Sequence, residues 1–421
     1  MGSMKFAIKM LKADFKRSLF YCGSLVISTA IVFVFFNMTA NPFYGGSQDM
    51  SSSSFSTVLA LVVVIIAMIL AFFANTYYLH SKTKELAIQA VSGGSVLTLA
   101  NFLLTQNALI MLIAMPMGLI LGYFVNPVIN AIVYSYLNIQ SNTWVVYPAG
   151  WFFTAICLAT EMLWLVIIDT GYAYRKEVKD LIEATQAMQK KEKGSIKIPG
   201  IVFLVIYFIP IILMLLLEPN ADLYLGVCMI GLFGIGGVLN KVLPQWIMKL
   251  QNSRYLNHRH KLLSLGNLHQ SLKQSTVLVQ TIIISVTFLV SFMCVYKNDY
   301  RQLVMIIMSY VVLTILLAIS IVYKVIIEAS LRVKSFSHMR MLGYITKDLK
   351  KIIRLEIVDL FGMLIVLPML YIGIMILRFT TAQLMTAQFG IIIIGFYLLT
   401  IMMAGIISYF IYVRLVLKGK R

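Results

Sequence analysis

Long apolar runs alternate with short polar connections along the whole chain of 421 residues. A helix needs about 20 apolar residues to cross a bilayer. Ten runs approach or exceed that length, near 21–39, 57–79, 101–125, 151–174, 200–217, 223–243, 275–296, 303–324, 355–377 and 389–413. Before the first run, Ile8, Leu11, Phe15 and Leu19 share one helical face, and Lys5, Lys9, Lys12 and Lys16 share another. That pattern predicts an amphipathic helix lying in the membrane interface. The connection 40–56 is polar. The connection 126–148 has no cation but holds Tyr134, Tyr136, Trp144 and Tyr147, the residue types of a headgroup-level aromatic belt.

Composition agrees with this pattern. The chain is 60% hydrophobic and 12% charged, whereas a soluble domain carries about 25% charged residues. A net charge of +19 would suit nucleic acid, but its distribution reports topology instead. Of the 35 lysines and arginines, 32 fall at the N-terminus, the C-terminus and alternate connections. The other connections hold only Lys297, Arg301 and Arg378. The positive-inside rule makes the cation-rich side cytoplasmic, with both termini inside. Cys22, Cys157, Cys228 and Cys294 lie within apolar runs and form neither a disulfide framework nor a zinc signature.

Two polar, helix-forming stretches recur. Lys82–Asn101 reads KTKELAIQAVSGGSVLTLAN and 334–351 reads KSFSHMRMLGYITKDLKK. Gly93 follows Lys84 by nine residues, and Gly343 follows Lys334 by nine, a constant shift of 250. Each predicts a short helical knob between two spans. The first four runs correspond in order to the seventh through tenth, and the fifth and sixth are an extra pair. Two inserted spans preserve orientation, so the halves are parallel repeats. The expected fold is an all-α polytopic membrane protein of ten transmembrane helices. Its parts are a four-helix unit over 4–174, a charged linker over 175–199, a two-helix hairpin over 200–248 and a second four-helix unit over 249–421.

Glu161 falls near the middle of the fourth run and Asp169 toward its cytoplasmic end. An ionisable group at that depth costs at least a few kcal/mol, so it faces the protein interior or a wet cavity. Glu161 is either a substrate or proton contact, or a hydrogen-bonded packing residue against Asn37, Asn75 or Asn107. Gly118 and Gly122 form a GxxxG pair suited to close helix packing. GLFGIGGVLNK in the sixth run fails the phosphate-loop spacing and reads as helix packing too. His258 and His260 lack helical metal spacing and read as part of a solvated basic face. No Walker, HExxH or GxSxG pattern occurs, so no enzyme activity is expected of this chain.

The stretch Lys84, Glu85, Leu86, Ala87, Ile88, followed by Gly93, Gly94 and Ser95, resembles the post-second-span signature of the FtsX-like, MacB-type permeases of ABC transporters. In the second copy Ser335 stands where the acid would be, while Phe336, Ser337, Arg340, Leu342 and Gly343 fit. The ten-span layout is similar to the bacitracin-export type. It departs from that type in lacking a large external domain, since only Lys297 to Gln302 lie between the seventh and eighth runs. The resemblance implies a permease that holds no cofactor itself and couples to a separate cytoplasmic ATPase homodimer, which binds ATP and Mg. One permease would serve one ATPase dimer. Lys84, Glu85, Leu86, Ile88 and Gly93 in one knob, and Phe336, Arg340, Leu342 and Gly343 in the other, would contact it. The apolar contacts would be Leu86, Ile88, Phe336 and Leu342. The resemblance also implies the bacterial cytoplasmic membrane, its lipids as neighbours, a sensor kinase or accessory protein as a further partner class, and a peptide, antibiotic or lipid-like substrate. Two other readings compete: an ion-coupled secondary transporter using Glu161 and Asp169, and a sensing permease that transmits motion without transport.

Overall fold

The computed structural model describes residues 10, 15–45, 63–69, 71, 72, 74–76, 78, 79, 82–175 and 199–418. Most of the expected interfacial helix over 4–20, and the linker over 176–198, lie outside these residues. Every regular element among the described residues is helical. They are α1 (Phe15–Thr39), α2 (Val63–Thr76), α3 (Thr83–Val91), α4 (Val96–Leu137), α5 (Pro148–Arg175), α6 (Gly200–Leu216), α7 (Ala221–Gly237), α8 (Leu243–Ser253), α9 (Arg259–Val295), α10 (Tyr300–Met341), α11 (Thr346–Thr381) and α12 (Ala387–Lys418). A short helical turn, Pro42–Gly45, follows α1, and a π-helical turn, Val238–Val242, joins α7 to α8.

Among the described residues, eight helices are long and apolar enough to cross a membrane. The chain is therefore a multi-pass membrane protein. The second and fifth apolar runs form shorter helices, Val63–Thr76 and Gly200–Leu216. The chain divides into two compact units, residues up to 196 and residues from 197.

In the first unit α1 packs along α4, and both contact α5. The α1–α4 approach is close because of two glycines. A Cβ on Gly118 would lie 2.7 Å from the Val26 carbonyl oxygen, and one on Gly122 would lie 2.8 Å from Phe33. The GxxxG pair is thus a packing face. A core of Leu79, Leu86, Leu99, Phe102, Leu103 and Ala173 closes one end of this unit.

The 42-residue helix α4 spans about 63 Å at 1.5 Å per residue, roughly twice the hydrocarbon thickness. It runs through Pro116 and Pro127 to Leu137, so the connection expected over 126–148 shrinks to 138–147. Asn126 and Asn130 donate to the carbonyls of Val145 and Thr143, and the backbone N–H of Tyr147 donates to Asn37 at 2.9 Å. These bonds fold the connection back onto the helix. Tyr134 is buried and accepts a hydrogen bond from Asn41 at 2.8 Å, so it belongs to the core and not to an aromatic belt.

The α6–α7 hairpin, expected over 200–248, belongs to the second unit. It lies in one compact unit with α9–α12 and contacts both α9 and α11. Gly234 in α7 lets the helices meet, since a Cβ there would lie 2.4 Å from the backbone nitrogen of Tyr207 in α6. Tyr207 donates to the Leu367 carbonyl at 2.9 Å, and Arg378 caps the end of α6 by donating to Met214 and Leu217 carbonyls at 3.1 and 2.8 Å. Arg378 is one of the three cations of the cation-poor side, and this capping accounts for it. Elsewhere α9 packs on α10 and α11, and α12 packs on α10 and α11.

Candidate functional site

Each unit encloses a polar cluster, and each carries a glycine turn after a helix. In α10, Lys324, Glu328 and Arg332 recur every fourth residue, so they stand on one helical face. Lys324 and Glu328 are buried, and Arg332 is 12% exposed. The Lys324 ammonium meets Glu328 at 3.2 Å, the Ser271 carbonyl at 2.9 Å and the hydroxyls of Ser271 and Ser275. The Ser271 hydroxyl also donates to Glu328 at 2.9 Å. One turn further, Arg332 pairs with buried Glu356 of α11 and donates to the Asn267 carbonyl at 3.1 Å. Glu356 also accepts from the Asn267 amide at 2.9 Å and from the Tyr412 hydroxyl at 3.4 Å. Two cations and two carboxylates thus balance inside the unit, tied by groups from α9, α10, α11 and α12. Buried charges persist only when paired and hydrogen-bonded in this way.

This quartet is absent from the sequence expectations, which took Lys324 and Arg332 as cations of a cytoplasmic connection. The continuous helix α10 carries them into contact with α9 and α11. The spacing Lys324, Glu328, Arg332 was the available signal. Beside it, His260 of α9 meets Asp348 of α11 at 2.9 Å, so this histidine forms an interhelical tie.

The first unit has a less charged counterpart. Asp169 of α5 is buried and accepts from Asn75 of α2 at 2.7 Å and from Asn107 of α4. Asn107 also donates to the Asn75 side-chain oxygen Oδ1 at 2.9 Å. A second group lies nearer α3: buried Lys82 pairs with Glu85 at 2.8 Å, and the Tyr78 hydroxyl donates to Gln106 at 3.2 Å. Tyr78, Lys82 and Gln106 stand 250 residues before Glu328, Arg332 and Glu356.

Glu161 is 2% exposed, yet among the described residues its Oε1 has no hydrogen-bond partner. The asparagines considered for it serve elsewhere: Asn75 and Asn107 bind Asp169, and Asn37 binds the backbone of Tyr147. Eight residues of helix separate Glu161 from Asp169, about 12 Å, so the two carboxyls occupy different levels.

The glycine turns have the same geometry. Gly93 has φ 85° and Gly343 has φ 91°. After α3, the N–H of Gly94 reaches back to the Gln89 carbonyl at 3.0 Å. After α10, Tyr344 bonds to Met339 at 3.1 Å and Gly343 to Arg340 at 3.0 Å. Both are the Schellman cap, which needs a left-handed residue and therefore favours glycine. The following helices start at the same register, with Ser95 and Ile345 as N-caps.

The preceding helices differ. α3 is a separate nine-residue helix, whereas the expected second knob is the continuous end of the 42-residue α10. Within the expected contact set, Leu86 and Phe336 are each 1% exposed. Leu86 is in the core beside Leu99 and Phe102, and Phe336 packs edge-on against Tyr412. They hold the turns in place and are not surface contacts. Arg340 is half-buried and donates to the Leu417 carbonyl at 3.3 Å. Glu85 is occupied with Lys82. The Lys84 side chain lies outside the described residues. The exposed apolar groups near the turns are Ile88, Val91 and Leu97 in one, and Met341, Leu342 and Ile345 in the other. Of these only Ile88 and Leu342 were expected.

No protein-family model matches this chain, and no curated protein matches it.

Proposed function

We propose that this chain is the membrane-spanning subunit of an ATP-driven transporter, with a separate ATPase dimer docking on its two glycine turns. In this reading the two shorter helices complete ten spans, arranged as two parallel four-helix repeats around the α6–α7 hairpin. The turns face the cytoplasm of a bacterial cell, and the ATPase supplies the ATP and Mg chemistry. The carrying observation is the recurrence of one Schellman turn at a shift of 250 residues, each ringed by exposed apolar side chains. Apolar groups such as Val91, at 76% exposure, and Leu342, at 79%, suit the centre of a small protein interface. An ATPase homodimer offers two equivalent surfaces, and one copy of this chain presents both turns. The resemblance to FtsX-like permeases supports the same arrangement, with a peptide, antibiotic or lipid-like substrate.

The test uses the full chain co-expressed with a candidate ABC ATPase. Val91→Asp and Leu342→Asp change exposed positions, so the fold is retained. Each alone lowers the co-purifying ATPase about tenfold if it costs about 1.4 kcal/mol, and both together remove it. The intact complex has the mass of one permease and two ATPases. Undiminished co-purification of the double variant, or two permeases per complex, refutes the proposal. Orientation is read separately, by impermeant thiol labelling of cysteines placed at Asn142, expected outside, and at Asn257, expected inside. The buried, unpartnered oxygen of Glu161 favours a second reading, ion-coupled transport. That reading requires substrate movement driven by an ion gradient without any ATPase.

A further inference from the structure

A groove of about 560 Å³ opens on the second unit between α8, α9 and α11. Its walls are leucine, isoleucine, valine and methionine side chains, with Trp246 and Tyr255 among them. Along α11 it extends from Leu355 to Leu367. Twelve helical residues rise about 18 Å, close to the roughly 15 Å of one hydrocarbon leaflet. A Cβ built on Gly362, in the groove wall, meets nothing within 4 Å. The groove therefore has the length and lining of a slot for an acyl chain.

Its rim is cationic. Lys261 lines the groove with its ammonium 4.5 Å from the Tyr255 ring centroid. Arg254 and Arg259 flank these residues and are exposed. No aspartate or glutamate occurs from Leu243 to Lys273. Asp359, on the α11 wall, is the acid of the lining and interacts electrostatically with Lys261. Against one such acid the rim keeps an excess of cations. Trp246 is exposed on α8, as expected of an aromatic side chain at headgroup level. A basic rim above an apolar slot between spans is the arrangement that recognises anionic lipid headgroups on the cytoplasmic side.

We infer that this groove binds an anionic glycerophospholipid, one acyl chain lying along Gly362 and the phosphate held by Lys261, Arg254 and Arg259. The choice of the cytoplasmic leaflet rests on the orientation proposed above; the site itself does not.

The test puts the full chain into phosphatidylcholine nanodiscs, with Trp144, Trp151 and Trp164 replaced by phenylalanine so that Trp246 is the reporter. Brominated-chain phosphatidylglycerol or brominated-chain phosphatidylcholine is added at a few mole per cent. Phosphatidylglycerol is expected to quench Trp246 several-fold more than phosphatidylcholine at equal fraction. Combining Lys261→Gln, Arg254→Gln and Arg259→Gln brings the two lipids level. Gly362→Phe, which fills the slot, lowers quenching by phosphatidylglycerol to the phosphatidylcholine level. The cation variants leave the apolar walls of the slot unchanged, so they decide the matter if Gly362→Phe fails to fold. Equal quenching of the starting protein by both lipids, or an unchanged preference in the triple variant, overturns the inference. Both leaflets carry the quencher, so this outcome is independent of the thiol-labelling test of orientation.

Discussion

Replacing Glu356 by alanine isolates the energetics of the buried quartet. Glu356 is 3% exposed and accepts from Arg332, Asn267 and Tyr412. Its removal leaves the Arg332 guanidinium at 12% exposure with only the Asn267 carbonyl and the Tyr412 hydroxyl. Stranding one member of a buried pair costs about 3–5 kcal/mol. Each kcal/mol moves the midpoint of a unit of this size by about 2–4 °C, so the shift is on the order of 10 °C. Thermal unfolding of the purified chain in detergent, followed by retention of the monodisperse species, measures it. Glu356→Leu combined with Arg332→Met removes both charges, and apolar replacements of similar volume are often neutral or stabilising. The double variant is therefore expected to be more stable than either single one by about 3 kcal/mol. Additive losses, or a Glu356→Ala variant as stable as the parent, would show that water and not the pairing carries these charges.

Two further outcomes follow from the same geometry. Gly93→Ala and Gly343→Ala place a Cβ at φ 85° and 91°, each costing about 1–2 kcal/mol; unchanged melting of either variant would contradict the cap assignment. Asp169→Leu leaves the amides of Asn75 and Asn107 without their acceptor and costs about 1–3 kcal/mol, while Asp169→Asn, which keeps an acceptor oxygen, costs less; equal losses in the two variants would rule out the hydrogen bonds as the cause.

Apolar periodicity and glycine position made much of this architecture legible. A glycine after a polar helix-forming stretch fixes a Schellman cap locally, so Gly93 and Gly343 could be read without tertiary information. Gly118, Gly122 and Gly234 could be read as packing positions for a similar reason: an apolar span offers a glycine few other uses. What stayed hidden depends on neighbours. In a nine-residue helix such as α3, several residues are apolar and only the partner core decides which face turns in. Leu86 faces Leu99 and Phe102, while Ile88 is 59% exposed. The length of α10 was hidden because its polar residues look like a connection. Lys324, Glu328 and Arg332 continue the helix as i, i+4 neighbours and meet their partners only when α9 and α11 are in place. Asp169 was visible as an intramembrane acid, but its asparagines lie 94 and 62 residues away, and spacing along the chain does not report such a meeting.

The difference between the two turns bears on how force would pass under the proposed coupling. In the second unit Arg332 and Met341 belong to one uninterrupted helix, about 13 Å apart along the axis. A displacement at Leu342 is delivered directly to a site where the Arg332–Glu356 pair joins α10 to α11 and Ser271 joins the Lys324–Glu328 pair to α9. Because separating a buried pair costs several kcal/mol, the quartet must shift as paired units, and α9, α11 and α12 move with α10. In the first unit the turn is carried by α3, which begins at Thr83 after α2. There the link is the Lys82–Glu85 pair, within three residues of one chain, together with the Leu86 anchor. The charged pair joins Lys82 to the first turn of α3, and the Tyr78–Gln106 bond, worth about 1 kcal/mol, is one of the links from this region to α4. The second turn is therefore carried by one continuous helix and the first by a short separate one. Two equal strokes from a symmetric motor would be converted into unequal movements of the spans.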